Sequence, residues 1–177
     1  AEASGHIVAQ IDAPRAIREL VQVGPVREQT EWMLRILADH DRTGLVVVTT
    51  PEEMPVTESI ELVDKVRTTT DVDVAGVFVN RMLPEWFAPR DRTVFEGLCG
   101  PGAQELLAAA AGPRTAVVFE AAALAQSRHD VAEQYVARLR AELPAGVPLH
   151  VVPELFTKAS GRRVVALVAD ELQRVLA

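Results

Sequence analysis

A β-branched apolar run, Leu45-Val-Val-Val-Thr-Thr50, leads into a polar elbow, Pro51-Glu-Glu-Met-Pro-Val-Thr-Glu-Ser59. One helix's length of chain later a second run follows, Val77-Phe-Val-Asn80-Arg81. An unbroken apolar strand is typical of a parallel sheet buried on both faces, in which crossover helices join neighbouring strands. The pattern therefore predicts an α/β fold with a mostly parallel sheet and flanking helices. Ligands of such sheets bind beyond the carboxyl ends of the strands, where Thr49 to Glu53 and Asn80-Arg81 fall.

The composition narrows the class of protein. The chain has 177 residues, 49% of them hydrophobic, which is enough for one sizeable core. Its net charge of −7 argues against a nucleic-acid surface, which needs a concentrated basic field. The single cysteine, Cys99, cannot form an internal disulfide or a cysteine-cluster metal site, and we predict no metal ligands. No apolar run approaches the roughly 20 residues that cross a bilayer, and no signal pattern opens the chain, so we expect a cytoplasmic protein.

The remaining elements are predicted from caps, breaks and periodicity. Asp12 and Pro14 predict the start of a helix that runs to about Val23, where Gly24-Pro25 interrupts the chain. A second helix is predicted up to about Asp39, a third over 55–67, a strand over 147–152 and a loop over 153–159. Ser160 is the expected N-cap of a terminal helix. The predicted core-facing residues are Val26, Met33, Leu34 and Leu37 in the second helix and Val164, Val168, Leu172 and Val175 in the last.

A long alanine-rich region, 91–143, has no strand signal and predicts a helical subdomain inserted after the second strand. Gly100-Pro101-Gly102 and Gly112-Pro113 divide it into shorter helices. Its last section carries a near-heptad seam of Val117, Leu124, Val131 and Leu139, which predicts a packed hairpin or small bundle. We expect this region to face a specific protein partner or a second subunit.

Several of these segments resemble a known family. Ala1-Glu-Ala-Ser-Gly-His6 resembles the end of the Asp-x-Pro-x-Thr/Ser-Gly-His switch of the arsenite-pump and tail-anchored-protein-targeting ATPases, which are deviant P-loop NTPases. In the same order, the elbow after Thr50 and the strand end Val79-Asn80-Arg81 resemble that family's Glu-rich elbow and its Val-Asn-Gln/Arg strand end. Val152-Pro153-Glu154-Leu155-Phe156 resembles the Pro-Leu-type loop that packs on adenine. The resemblance covers essentially the whole chain and is closest to actinobacterial members.

The resemblance implies a switch ATPase that binds ATP or ADP with Mg²⁺ in the intact protein. It implies dimer closure with an identical or paralogous subunit, handling of a protein or membrane-protein client, and a place in the cytoplasm or at the inner membrane. Switch roles fall on Ser4, Gly5 and His6. Adenine-pocket roles fall on Asn80, Arg81, Pro153, Glu154, Leu155 and Phe156.

The chain also departs from the family pattern. It contains no G-x-x-x-x-G-K-[ST] phosphate-binding loop, carries Glu2 where the family switch has proline, and has no Cys-x-x-Cys zinc motif. We therefore interpret it as the C-terminal part of one P-loop ATPase domain, inactive alone, that supplies switch and base pocket. Two alternatives stay open: a degenerate, non-hydrolysing subunit of a heterodimeric ATPase, and an unrelated α/β enzyme whose pocket ends in Asn-Arg.

Each candidate residue also has a structural interpretation. His6 could simply start a helix, and Asn80 could bond its own backbone instead of an adenine edge. Arg162 and Arg163 lie in the first turn of the last helix, where positive charge is disfavoured. We expect an anionic partner for them, with Glu154 as the first candidate and a phosphate or partner carboxylate as the second. Glu52 and Glu53 could belong to a solvated acidic elbow, or they could orient a water molecule or bridge a dimer. Trp86 and Phe87 could pack in the core or anchor a protein partner.

Overall fold

The fold is built on a small parallel sheet. A computed structural model describes residues 2–177, with side chains from residue 5 onward. The sheet has three strands in the order β1 (Leu45–Thr49), β2 (Val74–Met82) and β3 (Leu149–Pro153), and both pairings are parallel. Seven helices accompany these strands in the described part of the chain. The predicted α/β class with a parallel sheet and flanking helices is confirmed.

The helices follow the chain in a simple order. Their bounds are α1 Glu2–Leu20, α2 Pro25–Leu37, α3 Glu53–Thr69, α4 Pro89–Leu98, α5 Pro101–Ala111, α6 Thr115–Glu142 and α7 Arg162–Leu176. The breaks predicted at Gly24-Pro25, Gly100-Pro101 and Gly112-Pro113 are confirmed. Gly24 and Gly100 are N-caps whose helices have proline in the first turn, whereas Gly112 caps the carboxyl end of α5 with φ 92°. The region predicted to be helical consists of α4, α5 and α6. Whether these three helices form a separate subdomain stays a prediction.

The core lies on one face of the sheet. Val77 and Val79 of β2 are fully buried there. They lie in one cluster with Val56 and Val63 of α3 and with the carboxyl-terminal half of α6, where Leu139 is also fully buried. Helix α3 therefore acts as the predicted crossover between β1 and β2, and α6 packs against α3 and β2.

The opposite face of the sheet is only partly covered, so the prediction that β1 is buried on both faces is wrong. Val47 is buried, but Val46 and Val48, which point the other way, are 49% and 65% exposed. Val48 pairs in register with Phe78, whose ring stacks on His150 at a centroid distance of 4.8 Å. A continuous apolar run in sequence does not reveal which of its two faces another element covers.

Helix α1 begins earlier than predicted. It runs continuously from Glu2 to Leu20 with Pro14 buried inside it, so Asp12 does not cap a helix. Asp12 instead lies 3.6 Å from Arg15, which donates to Asp71 at 2.6 Å and ties α1 to the loop before β2. The contact with Asp71 comes from a residue 56 positions away and has no signal in the local sequence.

Two other helix predictions need correction. Helix α7 begins at Arg162, and its N-cap is Gly161 with φ 60°, not Ser160. Glycine adopts this left-handed conformation without steric cost, and serine does not. In α2, Val26 and Met33 of the predicted core face are about half exposed.

The predicted seam on α6 is also wrong. Val117, Leu124 and Val131 are 65%, 54% and 45% exposed, and only Leu139 is buried.

Within residues 2–177, no helix is both long enough and apolar enough to span a membrane.

Candidate functional site

The carboxyl ends of the three strands meet at one edge of the sheet. Because all pairings are parallel, Thr49, Asn80 and Pro153 lie at or near this edge. The β-branched runs fix the strands, and the polar residues that follow them end up together. This is the position at which open α/β sheets bind ligands.

Asn80 lies exposed near the end of β2. Its Oδ1 accepts a hydrogen bond from the backbone N–H of Arg81 at 2.9 Å, so the asparagine does bond its own backbone. Its Nδ2 makes no hydrogen bond to any described residue. The amide therefore keeps two free N–H donors and one spare acceptor lone pair, which can bind a heterocyclic edge.

Asn80 lines a groove of about 320 Å³ on one side of this edge. Ile7 of α1, Val48 and Leu62 give the groove apolar surface, and Thr49 and Thr50 give it polar surface at the end of β1. Glu58 and Ser59 of α3 complete the wall. An apolar groove with a few convergent polar groups is the general form of a small-molecule site.

Arg81 and Glu154 join the ends of β2 and β3. Arg81 Nε donates to Glu154 Oε2 at 2.7 Å, and this hydrogen bond and charge raise the pKa of Arg81 above its ordinary value. The backbone N–H of Glu154 donates to the carbonyl of Met82 at 2.7 Å. Arg81 has φ 64°, the left-handed region that non-glycine residues rarely adopt. Glu154 is therefore the partner of Arg81, and the prediction that it pairs with Arg162 or Arg163 is wrong.

Arg81 and Glu154 do not face the Asn80 groove. They line a second cleft of about 550 Å³ with the acidic elbow residues Glu52 and Glu53 and with Tyr135 of α6. Asn80 and Arg81 are neighbours in β2 but line different clefts. Of the residues predicted as one adenine pocket, Asn80 thus lines one cleft and Arg81 and Glu154 line the other, whereas the rest of the predicted loop lines neither of the two.

The remaining residues of the predicted base loop lie at the end of β3 and just beyond it. Pro153 is the last residue of that strand, and Leu155 is half-buried. Phe156 is 66% exposed, and its ring lies 5.9 Å from the ring of Trp86, which is 52% exposed. Trp86 is therefore at the surface, whereas Phe87 stacks on Phe95 within the helical region.

The predicted switch residues lie in the first turns of α1. The side chain of Ser4 lies outside the described residues, Gly5 is half-exposed and His6 is exposed. The next residue, Ile7, lines the Asn80 groove. Helix α1 therefore passes directly beside the groove, although its switch role stays a prediction.

Sequence reasoning missed the contribution of α6 to the larger cleft. Ser127, Arg128, Val131 and Tyr135 line that cleft. Their spacing of three and four residues places them on one side of a helix. That periodicity was available in the sequence, but which element would face that side was not.

The amino-terminal half of the chain is similar to known ATPases. The family model for the anion-transporting ATPases matches residues 4–95, which include most of α1, the β1–α3 elbow and the Asn80-Arg81 strand end. Over 88 residues the chain is 30% identical to ATPase BagA of Mycobacterium tuberculosis, and equally to a Mycobacterium bovis protein that is also named as an ATPase. The matched stretch covers 50% of this chain but spans only about a quarter, 25%, of the length of each relative.

Proposed function

The chain belongs to the anion-transporting ATPase family, and on that premise we propose that it forms the base-binding end of an ATP site. In the intact protein this site would serve an ATP-hydrolysing switch that closes a dimer and handles a partner or client. The matched relatives carry ATPase in their names, which supports the proposal.

The observation that carries the proposal is the free amide nitrogen of Asn80. An adenine edge presents a ring-nitrogen acceptor beside an exocyclic amine donor. Asn80 Nδ2 can donate to the ring nitrogen while the spare lone pair of Oδ1 accepts from the amine. The bond from the Arg81 N–H to Oδ1 holds the side-chain amide in one orientation, so less freedom is lost on binding.

The surroundings of Asn80 suit a planar base. Ile7, Val48 and Leu62 provide apolar contact along the groove. The Arg81–Glu154 pair holds the start of the loop after β3 against the end of β2. Leu155 and Phe156 do not line the groove in this structure. The proposal places them on the outer side of the base once nucleotide is bound, with Arg81 as a positioning residue.

The switch role in the proposal falls on the first turns of α1. Because Ile7 lines the same groove as Asn80, a displacement of α1 would change the shape of the base site. Ser4, Gly5 and His6 directly precede Ile7, so they can respond to what lies in the groove.

The residues of this chain fit the base end of a nucleotide and not its phosphates. Binding the β- and γ-phosphates with Mg²⁺ requires a loop of backbone N–H groups and a lysine. No G-x-x-x-x-G-K-[ST] motif occurs in the sequence. We therefore assign no phosphate or Mg²⁺ contact to these residues, and the proposal concerns adenine recognition.

The test compares two substitutions of Asn80 in the intact protein, with ADP affinity measured by calorimetry. Asn80→Ala removes the donor and the backbone bond, and should weaken binding by about 1 to 2 kcal/mol, the scale of a buried polar pair left half made. Asn80→Asp keeps an acceptor for the Arg81 N–H but has no donor, so it should bind at least as weakly. Wild-type affinity in Asn80→Asp would reduce Asn80 to a backbone cap and reject the base-site role.

A further inference from the structure

The proposed base site leaves the larger cleft at the carboxyl edge of the sheet without an assigned ligand. The volume of this cleft, about 550 Å³, is within the usual range for a small-molecule site. The acidic elbow contributes Glu52 and Glu53 to it, and α6 contributes Arg128 and Val131. Among the described residues, Thr50 is the one that lines both this cleft and the Asn80 groove. The larger cleft is therefore a second candidate site.

The elbow and α6 bring opposite charges to the cleft, and these charges are not paired with each other. Glu52 and Glu53 on the elbow and Arg128 on α6 are all exposed. None of these three side chains forms a hydrogen bond or an ion pair with any described residue. A ligand that enters the cleft thus meets two unpaired carboxylates and one unpaired guanidinium group.

The other guanidinium groups near the elbow are already bound to carboxylates. Arg81 pairs with Glu154 at 2.7 Å. Arg138 pairs with Glu142 at 2.8 Å. Hydrogen bonds and charge from these partners raise the pKa of both guanidinium groups, and the elbow carboxylates add a smaller effect. The elbow therefore keeps negative charge that a ligand can neutralise.

Contacts around the cleft hold its walls in place. Next to Arg128 on α6, His129 Nδ1 donates to the carbonyl oxygen of Leu83 at 2.7 Å. The elbow is fixed to α6 through Thr57, whose Oγ1 accepts a hydrogen bond from Arg138 Nη1 at 3.0 Å. The same hydroxyl donates to the carbonyl of the first residue of α3 at 2.8 Å. A site whose walls are already fixed loses little conformational freedom when a ligand binds.

Apolar surface accompanies the charges in this cleft. Val131 is 45% exposed, and Leu83 and the buried residues Pro51 and Ala132 also line the cleft. An aliphatic chain suits this surface, an ammonium group suits the carboxylates, and a carboxylate suits the guanidinium group. The chemistry that matches all three is a zwitterion in which an aliphatic chain separates an ammonium from a carboxylate.

We propose that the larger cleft binds a small zwitterion of this kind, with its ammonium at Glu52 and Glu53 and its carboxylate at Arg128. Free amino carboxylates are the simplest members of the class. The site uses neither a nucleotide nor Asn80, so Asn80→Ala should not change its affinity. Failure of this proposal would therefore leave the base-site proposal untouched.

The first test varies the ligand and leaves the protein unchanged. NMR titration of the intact protein without nucleotide measures the affinities of 4-aminobutyrate, 6-aminohexanoate and 8-aminooctanoate, because the separation of the charged groups should select one chain length. That zwitterion should bind at least about fivefold more tightly than the amine or the carboxylate of the same length, each of which keeps one charge. Equal affinity for either analogue, or no saturable binding by any of the three zwitterions, would overturn the proposal.

The second test changes the two sets of charges on the protein. Arg128→Gln should weaken the preferred zwitterion about fivefold or more without weakening its amine analogue. Glu52→Gln combined with Glu53→Gln should weaken the zwitterion by at least as much without weakening its carboxylate analogue. Arg140→Gln and Glu61→Gln are the matched controls, since both residues are exposed on the same helices but do not line the cleft. Wild-type affinity in Arg128→Gln, or losses as large in the controls, would refute the site.

Discussion

Arg81 and Glu154, which lie 73 residues apart in the chain, form a hydrogen-bonded ion pair of 2.7 Å between the ends of β2 and β3. The backbone of Glu154 bonds that of Met82 beside it, so the loop after β3 is fixed to β2 twice. Arg81 takes a left-handed φ of 64° at this point. Uncommon backbone conformations persist where surrounding contacts determine them, and here the two contacts with Glu154 involve the Arg81 side chain and the backbone of the next residue.

The first prediction concerns this pair. Glu154→Ala should lower ADP affinity of the intact protein roughly threefold to tenfold, because the loop 153–156 loses a contact that holds it in its bound position. The thermal unfolding midpoint should hardly change, since exposed ion pairs add little stability. Calorimetry and thermal unfolding measure the two effects. An unchanged affinity would mean that the loop does not contact the nucleotide.

The second prediction is that this chain alone does not hydrolyse ATP. Phosphoryl transfer depends on groups that hold the β- and γ-phosphates and Mg²⁺, and the sequence has no such loop. Phosphate release by the purified chain should equal the background of a mock purification. Turnover that survives removal of co-purifying ATPases would contradict the assignment.

The third prediction concerns acid stability. Hydrogen bonds from Arg92 and then from Gln126 lower the pKa of Asp130, so the folded state holds this proton less tightly than the unfolded state. The resulting stabilisation is complete above the unfolded-state pKa of about 4 and is lost as pH falls through the lower folded pKa. Asp130→Asn should therefore unfold at a lower temperature than wild type at neutral pH, with the difference shrinking in acid.

Glu133→Gln is the control for that experiment. Glu133 is exposed on the same helix and forms no ion pair with a described residue, so its substitution should shift the unfolding midpoint little at any pH. Equal pH profiles for the two variants would show that the Arg92–Asp130 contact does not link α4 to α6.

The fourth prediction compares neighbouring residues of β1. Val47→Ala should lower the free energy of unfolding by about 1 to 3 kcal/mol, because Val47 is only 6% exposed and the loss of its two methyl groups would leave a cavity in the core. Val48→Ala should cost no more than about 0.5 kcal/mol, because Val48 is 65% exposed. Denaturant unfolding measures both. Equal losses would show that both faces of β1 are covered in solution.

Local sequence was sufficient for the strands, for α3 and for the breaks in the helical region. Glycine and proline restrict backbone dihedrals at their own positions, and β-branched runs favour extended chain whatever lies around them. Asn80 and the loop 153–156 could be placed at the carboxyl edge for the same reason, because parallel strands bring their ends to one side.

What the sequence by itself determined was the type and order of the elements; which of their faces is buried was decided only in the tertiary structure. The sequence pattern predicts Val46 and Val117 as core residues, yet both lie at the surface. Burial depends on which distant element packs against a given face. Glu154 likewise had two candidate partners near it in sequence, and its actual partner, Arg81, comes from the neighbouring strand. Contacts of this kind are set by strand register and chain topology, which no local pattern contains.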